Sequence, residues 1–314
     1  MTGLPTCMKV VGRWGGMIKF SHSVFALPFA LIAVFLAGRS AFQAGDAPHL
    51  YPRPVLLALI VLCMVAARSA AMTFNRLVDA ELDARNPRTA DRAIPCQRIT
   101  KRQAALFFLA CATVFVLACA GFWWLDGNVW PLVLAGPVLA YLCLYSYTKR
   151  FTALSHFVLG SAIGLSPAAA WIAVHPASLG LPAILLCVAV TLWIGGFDVI
   201  YACQDVTFDD QVGLHSLPAR VGIGRALWIA RATHAVAVAL LVGLVITAGL
   251  GWLAGLGVVI VAVLLAVENA IVRPGDLSRV TTAFFTINGL VSLVFGALVV
   301  ADILLSLGPI RAPG

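Results

Sequence analysis

Long uninterrupted runs of apolar residues restrict how this chain can fold more than any other feature. Each run is about 20 residues long, roughly the length an α-helix needs to cross a hydrocarbon core of about 30 Å. The composition agrees, because 61% of the 314 residues are hydrophobic and only 11% are charged. The short strands of alternating polarity that build a membrane barrel are not visible. The sequence therefore predicts an all-α integral membrane protein embedded in a lipid bilayer.

The positions of these runs predict nine membrane spans. They cover residues 17–38, 53–74, 103–121, 128–147, 154–174, 181–202, 225–247, 250–271 and 281–306. The first run is too long for a removable signal peptide and is not followed by a small-residue cleavage pattern, so it is expected to remain as a span.

Lysine and arginine are distributed unevenly between the two sides that these spans define. If the N-terminus is cytoplasmic, most of the 21 basic residues fall in cytoplasmic loops, as expected for a bacterial-type inner membrane. Topology thus explains the formal charge of +8 without a nucleic-acid partner. The eight cysteines show no spacing typical of zinc ligands.

Two connections on the basic side, residues 75–102 and 203–224, are long and polar in a chain whose other loops are short. More than half of the 13 acidic residues lie in or just before them. Helical spacing places two sets of polar side chains on one face each. The first set is Asn75, Asp79 and Asp83, and the second is Asp198, Tyr201, Asp205 and Asp209. Glu81 and Asp210 fall off these faces.

Carboxylates that share a face at a membrane surface repel one another and favour a bound cation. Mg²⁺ binds one or two carboxylates and completes its coordination with water and phosphate oxygens, so two such ions would suit a diphosphate. Lys19, Arg68, Lys149 and Arg150 are candidates to neutralise the remaining phosphate charge. The alternative for either cluster alone is a set of solvated residues that cap helix ends.

Four segments resemble motifs of the UbiA superfamily of intramembrane aromatic prenyltransferases. N-R-L-V-D-A-E-L-D at 75–83 resembles its first aspartate motif, N-x-x-x-D-x-x-x-D, and D-V-I-Y-A-C-Q-D-V-T-F-D at 198–209 resembles its second. R-T-A-D-R-A-I-P at 88–95 and Y-S-Y-T-K-R-F-T at 145–152 resemble two further segments. The resemblance implies one domain over residues 1–314, with nine helices around a central cavity and both motifs at its cytoplasmic mouth. A two-part organisation is a further hypothesis, with one motif in each of residues 17–150 and 151–306.

The resemblance also implies roles for individual residues. It assigns catalysis to Asp79, Asp83, Asp198 and Asp205, and Mg²⁺ binding to these four together with Asn75 and Asp209. Substrate contacts are expected from Arg68, Asn75, Lys149, Arg150, Tyr201, Lys19 and His22. The implied reaction ionises the allylic C1–O bond of a polyprenyl diphosphate, after which an aromatic ring carbon attacks the carbocation and loses a proton. Asp198 and the released diphosphate are both candidates for the base.

The aromatic acceptor stays open between two hydroxylated carboxylic acids. The chain resembles the 4-hydroxybenzoate polyprenyltransferases of ubiquinone biosynthesis. Its first span, M-I-K-F-S-H-S, lacks their R-x-x-K-P-I-G pattern and is more similar to the MqnP-type branch of menaquinone biosynthesis, for which 1,4-dihydroxy-6-naphthoate is expected. Haem, chlorophyllide and glycerol phosphate acceptors are alternatives within the superfamily, and a membrane transporter is a weaker alternative outside it. The oligomeric state is left open.

Overall fold

The computed structural model describes residues 14, 15, 17, 26–49 and 51–306. These residues form helices and connecting turns, with one isolated two-residue bridge between Arg273 and Asp276. In chain order the α-helices are α1 Leu27–Ala44, α2 Pro54–Val78, α3 Ala80–Arg85, α4 Lys101–Asp126, α5 Trp130–Thr148, α6 Ser155–Gly164, α7 Ser166–Val174, α8 Leu181–Ala202, α9 Val206–Val212, α10 Leu217–Val221, α11 Ile223–Thr247, α12 Trp252–Ile271, α13 Val280–Thr282 and α14 Asn288–Leu305.

Nine segments of the described residues are long and apolar enough to cross a membrane, which confirms the predicted number of spans. They are Leu27–Ala44, Pro54–Val78, Lys101–Asp126, Trp130–Thr148, Ser155–Val174, Leu181–Val212, Ile223–Thr247, Trp252–Ile271 and Val280–Leu305. Many large apolar side chains remain exposed on them, including Trp252, Ile246 and Leu305. Such surfaces suit lipid rather than water.

The first span ends later than the sequence predicts. The helix continues past residue 38 to Ala44 and stops at Gly45, which has a left-handed backbone with φ of +81°. Arg39 lies just beyond the predicted end of the span, and its guanidinium donates to the carbonyl of Ala248 directly after α11. A carbonyl partner lets a basic side chain lie within a membrane helix.

The chain divides into two compact units. Of the described residues, the first contains 14, 15, 17 and 58–147, and the second contains 26–49, 51–57 and 148–306. In the first unit, Ala66, Phe115, Cys119 and Ala135 pack α2, α4 and α5 together. Another cluster, formed by Met17, Ala80, Ile94, Ile99 and Ala104, lies beneath the connection after α2. Whether the two halves of the sequence are related stays a prediction.

In the second unit, α6 and α8 approach one another closely because glycine lines their contact. A Cβ atom on Gly160 would lie 2.3 Å from the backbone oxygen of Thr191. One on Gly164 would lie 2.2 Å from the Thr191 Oγ1 and 2.9 Å from the backbone oxygen of Cys187. Small residues allow this backbone contact between membrane helices. Since α8 carries the start of the second aspartate motif, the contact fixes that motif against α6.

A buried polar cluster joins α8, α12 and α14 in the same unit. Asn288 is fully buried; its Nδ2 donates to the Glu268 Oε1 at 2.9 Å and to the Ala283 carbonyl at 3.1 Å. The indole Nε1 of Trp193 donates to the Asn288 Oδ1 at 2.7 Å. The bond to Ala283 spans the π-helical turn Ala283–Ile287 at the start of the last long helix. One side chain therefore satisfies polar groups from three helices.

We expect Asn288→Ala to lower the free energy of unfolding by about 2–5 kcal/mol, because it leaves the Trp193 N–H and the Glu268 carboxyl without partners. Denaturant unfolding in detergent micelles would measure the change. Leu290→Ala is the control, since Leu290 lies on the same helix and is 45% exposed. Equal losses for the two variants would contradict a structural role for the cluster.

Candidate active site

The first acidic motif lies at the junction of α2 and α3 in the first unit. Helical hydrogen bonds link its three polar residues, because the Asp79 N–H donates to the Asn75 carbonyl at 2.9 Å and the Asp83 N–H to the Asp79 carbonyl at 2.7 Å. Asp79 itself interrupts the helix with φ of −93° and ψ of 3°. This sparsely populated backbone region is frequent among active-site residues. The predicted helical spacing of Asn75, Asp79 and Asp83 is present in the structure.

The carboxylates of this motif are buried and surrounded by polar partners. Asp79 is 2% exposed, and its Oδ2 accepts a hydrogen bond from the Asn75 Nδ2 at 3.0 Å. The Asp83 Oδ1 accepts from the Arg92 Nη1 at 2.6 Å. Its Oδ2 accepts no hydrogen bond from the described residues and lies 3.8 Å from the Arg76 Nη1. Two guanidinium groups therefore balance the charge of Asp83.

Residues 88–95, the R-T-A-D-R-A-I-P segment, fold back onto this motif. The Thr89 hydroxyl donates to the Asp83 carbonyl at 2.9 Å, while Arg92 binds the side chain of the same residue. The backbone N–H of Arg88 donates to the Asn86 Oδ1 at 2.9 Å, which tightens the turn. The long polar loop is thus a support for Asp83 and not a loose connection.

Arg92→Ala should weaken Mg²⁺ binding at the first motif, so that a higher Mg²⁺ concentration is needed for half-maximal activity, because Asp83 would lose the group that orients its Oδ1. Losing a partner that orients a metal ligand typically costs about 10–100-fold in metal affinity or activity. Initial rates measured against Mg²⁺ concentration would show the effect. Arg98→Ala is the matched control, since Arg98 is exposed in the same loop and contacts Cys96 and the Asp91 carbonyl. The same loss in both variants would contradict this role for Arg92.

Arg68 lies on α2, two turns before Asn75, and its buried Nε has no hydrogen-bond partner among the residues that the structure describes. Tyr145 interacts electrostatically with Arg68, Arg76 and Asp79. The predicted basic residue Arg68 is therefore near the first motif. Arg76 is a 7% exposed neighbour that the sequence analysis missed, although its position directly after Asn75 was available as a signal.

The second acidic motif, in the second unit, spans α8, a short 3₁₀ turn at Cys203–Asp205, and α9. The sequence predicts one continuous helical face, but the 3₁₀ turn interrupts the α-helix between Asp198 and Asp209. A 3₁₀ turn is wound more tightly than an α-helix, so the α-helical spacing does not continue through it. Asp205 has φ of −105° and ψ of 3° at the start of α9, nearly the conformation of Asp79. The central aspartate of each motif therefore marks a break between two helices.

The side chains of this motif have different surroundings. The Asp198 Oδ2 lies 2.7 Å from the His156 Nδ1, and its side chain is 21% exposed. Asp209 is 9% exposed and interacts electrostatically with Asp205, Lys149 and His156. Tyr201 packs against Phe284, with ring centroids 4.5 Å apart. His156 is thus a direct partner of the motif that sequence reasoning did not assign.

The predicted basic residues fall in different places. Lys149 follows α5, and its carbonyl accepts a hydrogen bond from the His215 N–H at 2.7 Å, which ties it to the loop after α9. Arg150 is the next residue and is exposed. Lys19 and His22 lie outside the described residues.

The donor set of both motifs fits a hard divalent cation. All the candidate ligands are carboxylate or amide oxygens, which Mg²⁺ prefers over nitrogen and sulfur. The Asp83 Oδ2 is a buried oxygen to which no donor in the described part of the chain forms a hydrogen bond, as expected of an atom that can accept a cation. Over residues 26–49 and 51–306, no three His, Cys, Asp or Glu side chains form a ready-made metal site.

Comparison with known proteins identifies the class to which this arrangement belongs. The family model described as the UbiA prenyltransferase family matches residues 26–290. The chain belongs to this family. A 4-hydroxybenzoate octaprenyltransferase from Citrobacter koseri is 32% identical over 207 residues, which cover 66% of this chain and 67% of that relative.

Solved structures agree with the UbiA-family assignment. A UbiA homolog from Aeropyrum pernix K1, solved in its apo form, matches with a TM-score of 0.78 and 31% identity over 90% of this chain and 98% of its own. A UbiA homolog from Archaeoglobus fulgidus, solved bound to GPP and Mg²⁺, shares the fold with a TM-score of 0.69 at 19% identity, covering 93% of this chain and 99% of its own.

Membership in the UbiA family confirms three predictions made from the sequence. The protein is a multi-pass membrane protein, it has the all-α UbiA-type fold, and it is a prenyltransferase. The transporter alternative is therefore set aside. The roles of individual residues remain predictions.

Proposed function

We propose that this protein transfers a polyprenyl group from polyprenyl diphosphate to a hydroxylated aromatic carboxylic acid, in a Mg²⁺-dependent step of respiratory quinone biosynthesis. The observation that carries the proposal is the pair of acidic motifs, in each of which the central aspartate sits at a break between two helices. The relatives named 4-hydroxybenzoate octaprenyltransferases support the donor and acceptor classes.

The six oxygen-bearing residues of the two motifs are the proposed Mg²⁺ and diphosphate ligands. They are Asn75, Asp79, Asp83, Asp198, Asp205 and Asp209. When bound, Mg²⁺ supplies positive charge to the diphosphate oxygens, which makes the diphosphate a better leaving group. Because the UbiA homolog from Archaeoglobus fulgidus was solved with GPP and Mg²⁺ bound, a prenyl diphosphate together with Mg²⁺ is the first combination to test for binding.

The other proposed substrate contacts attract the negative charge of the substrates or orient them. Arg68, Lys149 and Arg150 attract the diphosphate or the carboxylate of the acceptor, and Lys19 and His22 are candidates for the same task. Tyr201 orients the substrate beside Asp205.

As the allylic C1–O bond breaks, its electrons leave with the diphosphate, and an electron-rich ring carbon of the acceptor attacks C1. The ring then loses a proton to Asp198 or to the released diphosphate.

The proposed location follows from the distribution of charge. The basic residues of the loops that carry both motifs favour the cytoplasmic face of a bacterial-type inner membrane, with the N-terminus on the same side. Both substrates are suited to that face, because the aromatic acid and the diphosphate are water-soluble groups while the polyprenyl tail is lipid-soluble.

Running both aromatic acids in parallel tests the proposal. Purified protein in detergent, with Mg²⁺ and a polyprenyl diphosphate, should prenylate 4-hydroxybenzoate or 1,4-dihydroxy-6-naphthoate, as measured by mass spectrometry of the extracted product. Preference for the naphthoate would assign the protein to menaquinone synthesis, and preference for the benzoate to ubiquinone synthesis. Turnover of glycerol phosphate or a haem in place of both acids would refute the proposed acceptor class.

A further inference from the structure

His156 connects the second acidic motif to the loop that follows it. It lies in the first turn of α6 and is 6% exposed. Its Nδ1 is 2.7 Å from the Asp198 Oδ2, on α8. Its Nε2 accepts a hydrogen bond from the backbone N–H of Leu217 at 3.2 Å. Each ring nitrogen therefore forms a hydrogen bond with a different segment of the chain.

These two contacts define the protonation pattern of the ring. A backbone N–H can only donate, so the Nε2 that accepts from Leu217 carries no proton. The ring proton consequently sits on Nδ1, which donates to the Asp198 carboxylate. The short 2.7 Å separation is typical of a hydrogen bond to a charged acceptor. One oxygen of Asp198 is thereby held by His156.

The same region is fixed by a neighbouring backbone contact. The His215 N–H donates to the Lys149 carbonyl at 2.7 Å, two residues before the bond between Leu217 and His156. The Leu214 N–H donates to the Asp209 carbonyl at 2.8 Å. Residues 214–217 are therefore joined to the end of α9 and to the segment between α5 and α6. The His156 side chain also reaches a carboxylate of the motif, that of Asp198.

We propose that His156 is a positioning residue that fixes the Asp198 carboxylate, so that its second oxygen is presented to the Mg²⁺ and diphosphate of the donor site. This inference rests on the function proposed above. It also gives the second motif a counterpart to Arg92, which holds one oxygen of Asp83 in the first motif. In each motif, one carboxylate oxygen is bound by a donor from outside the motif.

The alternative is that His156 only packs the core between α6 and α8. A packing role would affect stability and would be independent of Asp198. A positioning role acts through Asp198, so its effect should disappear when that carboxylate is absent. A double-mutant cycle separates the two because residues that act as a unit are not additive.

The experiment measures metal affinity directly, by electron paramagnetic resonance of Mn²⁺ added to the purified full-length protein with a non-hydrolysable prenyl diphosphate analogue. His156→Phe keeps a planar ring but removes both hydrogen bonds, and should weaken Mn²⁺ binding by about 10–100-fold. His156→Gln keeps a donor and an acceptor and should restore most of the affinity. His215→Phe, an exposed histidine of the same loop, is the control and should leave binding unchanged.

The decisive comparison uses Asp198→Asn with and without His156→Phe. We expect the second substitution to add little to the first, with thermal unfolding reported for every variant. Additive losses, or no restoration by His156→Gln in a folded protein, would overturn the positioning role while leaving the proposed function intact. Absence of Mn²⁺ binding and of prenyl transfer in the wild-type protein would refute the proposed function and this inference together.

Discussion

Asp79→Ala is expected to lower kcat for prenyl transfer on the order of 10³-fold, as for other groups that stabilise charge developing in a transition state. Asp79 is the central residue of the first motif, it is 2% exposed, and it takes a hydrogen bond from Asn75. Its loss would remove a carboxylate from the place where Mg²⁺ and diphosphate are proposed to bind. Asp205→Ala should have a comparable effect, because Asp205 has the same place in the second motif.

Glu81→Ala is the matched control for this prediction. Glu81 lies between Asp79 and Asp83 in sequence, but it is exposed and forms a surface ion pair with Lys101 at 3.6 Å. Exposed ion pairs contribute little, so activity should stay close to that of the wild type. If Asp79→Ala retained normal turnover in a folded protein, the assignment of Asp79 to the metal site would be wrong.

Gly160→Ala is expected to destabilise the protein by about 3 kcal/mol or more, at the upper end of the cost of overpacking. The added methyl group would lie 2.3 Å from the Thr191 carbonyl and 3.0 Å from the backbone nitrogen of Gly195. Because both neighbours are backbone atoms, α6 and α8 would have to separate. The movement would displace His156 from Asp198, so that Mg²⁺ affinity should fall together with stability.

Gly255→Ala separates this effect from the general consequence of replacing a helical glycine. Gly255 lies on α12, and a Cβ atom there would meet nothing within 4 Å. Alanine is the better helix former by about 1 kcal/mol, so this variant should be as stable as the wild type or slightly more so. Thermal and denaturant unfolding of both variants in the same detergent would measure the difference. A Gly160→Ala protein as stable as Gly255→Ala would contradict the packing described for α6 and α8.

The fold could be predicted from the sequence because its main determinant is local. A run of about 20 apolar residues predicts a spanning helix whatever surrounds it, and all nine runs correspond to helices in the described residues. The end of the first span could not be predicted, because the position of Arg39 in a helix depends on the carbonyl of Ala248, about 200 residues away in sequence.

In the candidate site, too, local features could be predicted from the sequence and long-range contacts could not. The spacing of Asn75, Asp79 and Asp83 is a local helical pattern, so the sequence was sufficient to group them. The partners that hold these carboxylates are set by folding at longer range. Arg92 reaches Asp83 through a turn of the polar loop, and His156 reaches Asp198 from a different helix, 42 residues away. Sequence spacing contains no direct signal for either contact.

The most direct test of the proposed chemistry is a single-turnover reaction with labelled polyprenyl diphosphate and an aromatic acid, in the presence of Mg²⁺ or of EDTA. The product to quantify is the acid with a new carbon–carbon bond to the prenyl group, together with released diphosphate. We predict that both form in equal amounts with Mg²⁺ and that neither forms with EDTA. Prenylated acid formed at the same rate in EDTA would contradict the proposed role of the two aspartate motifs.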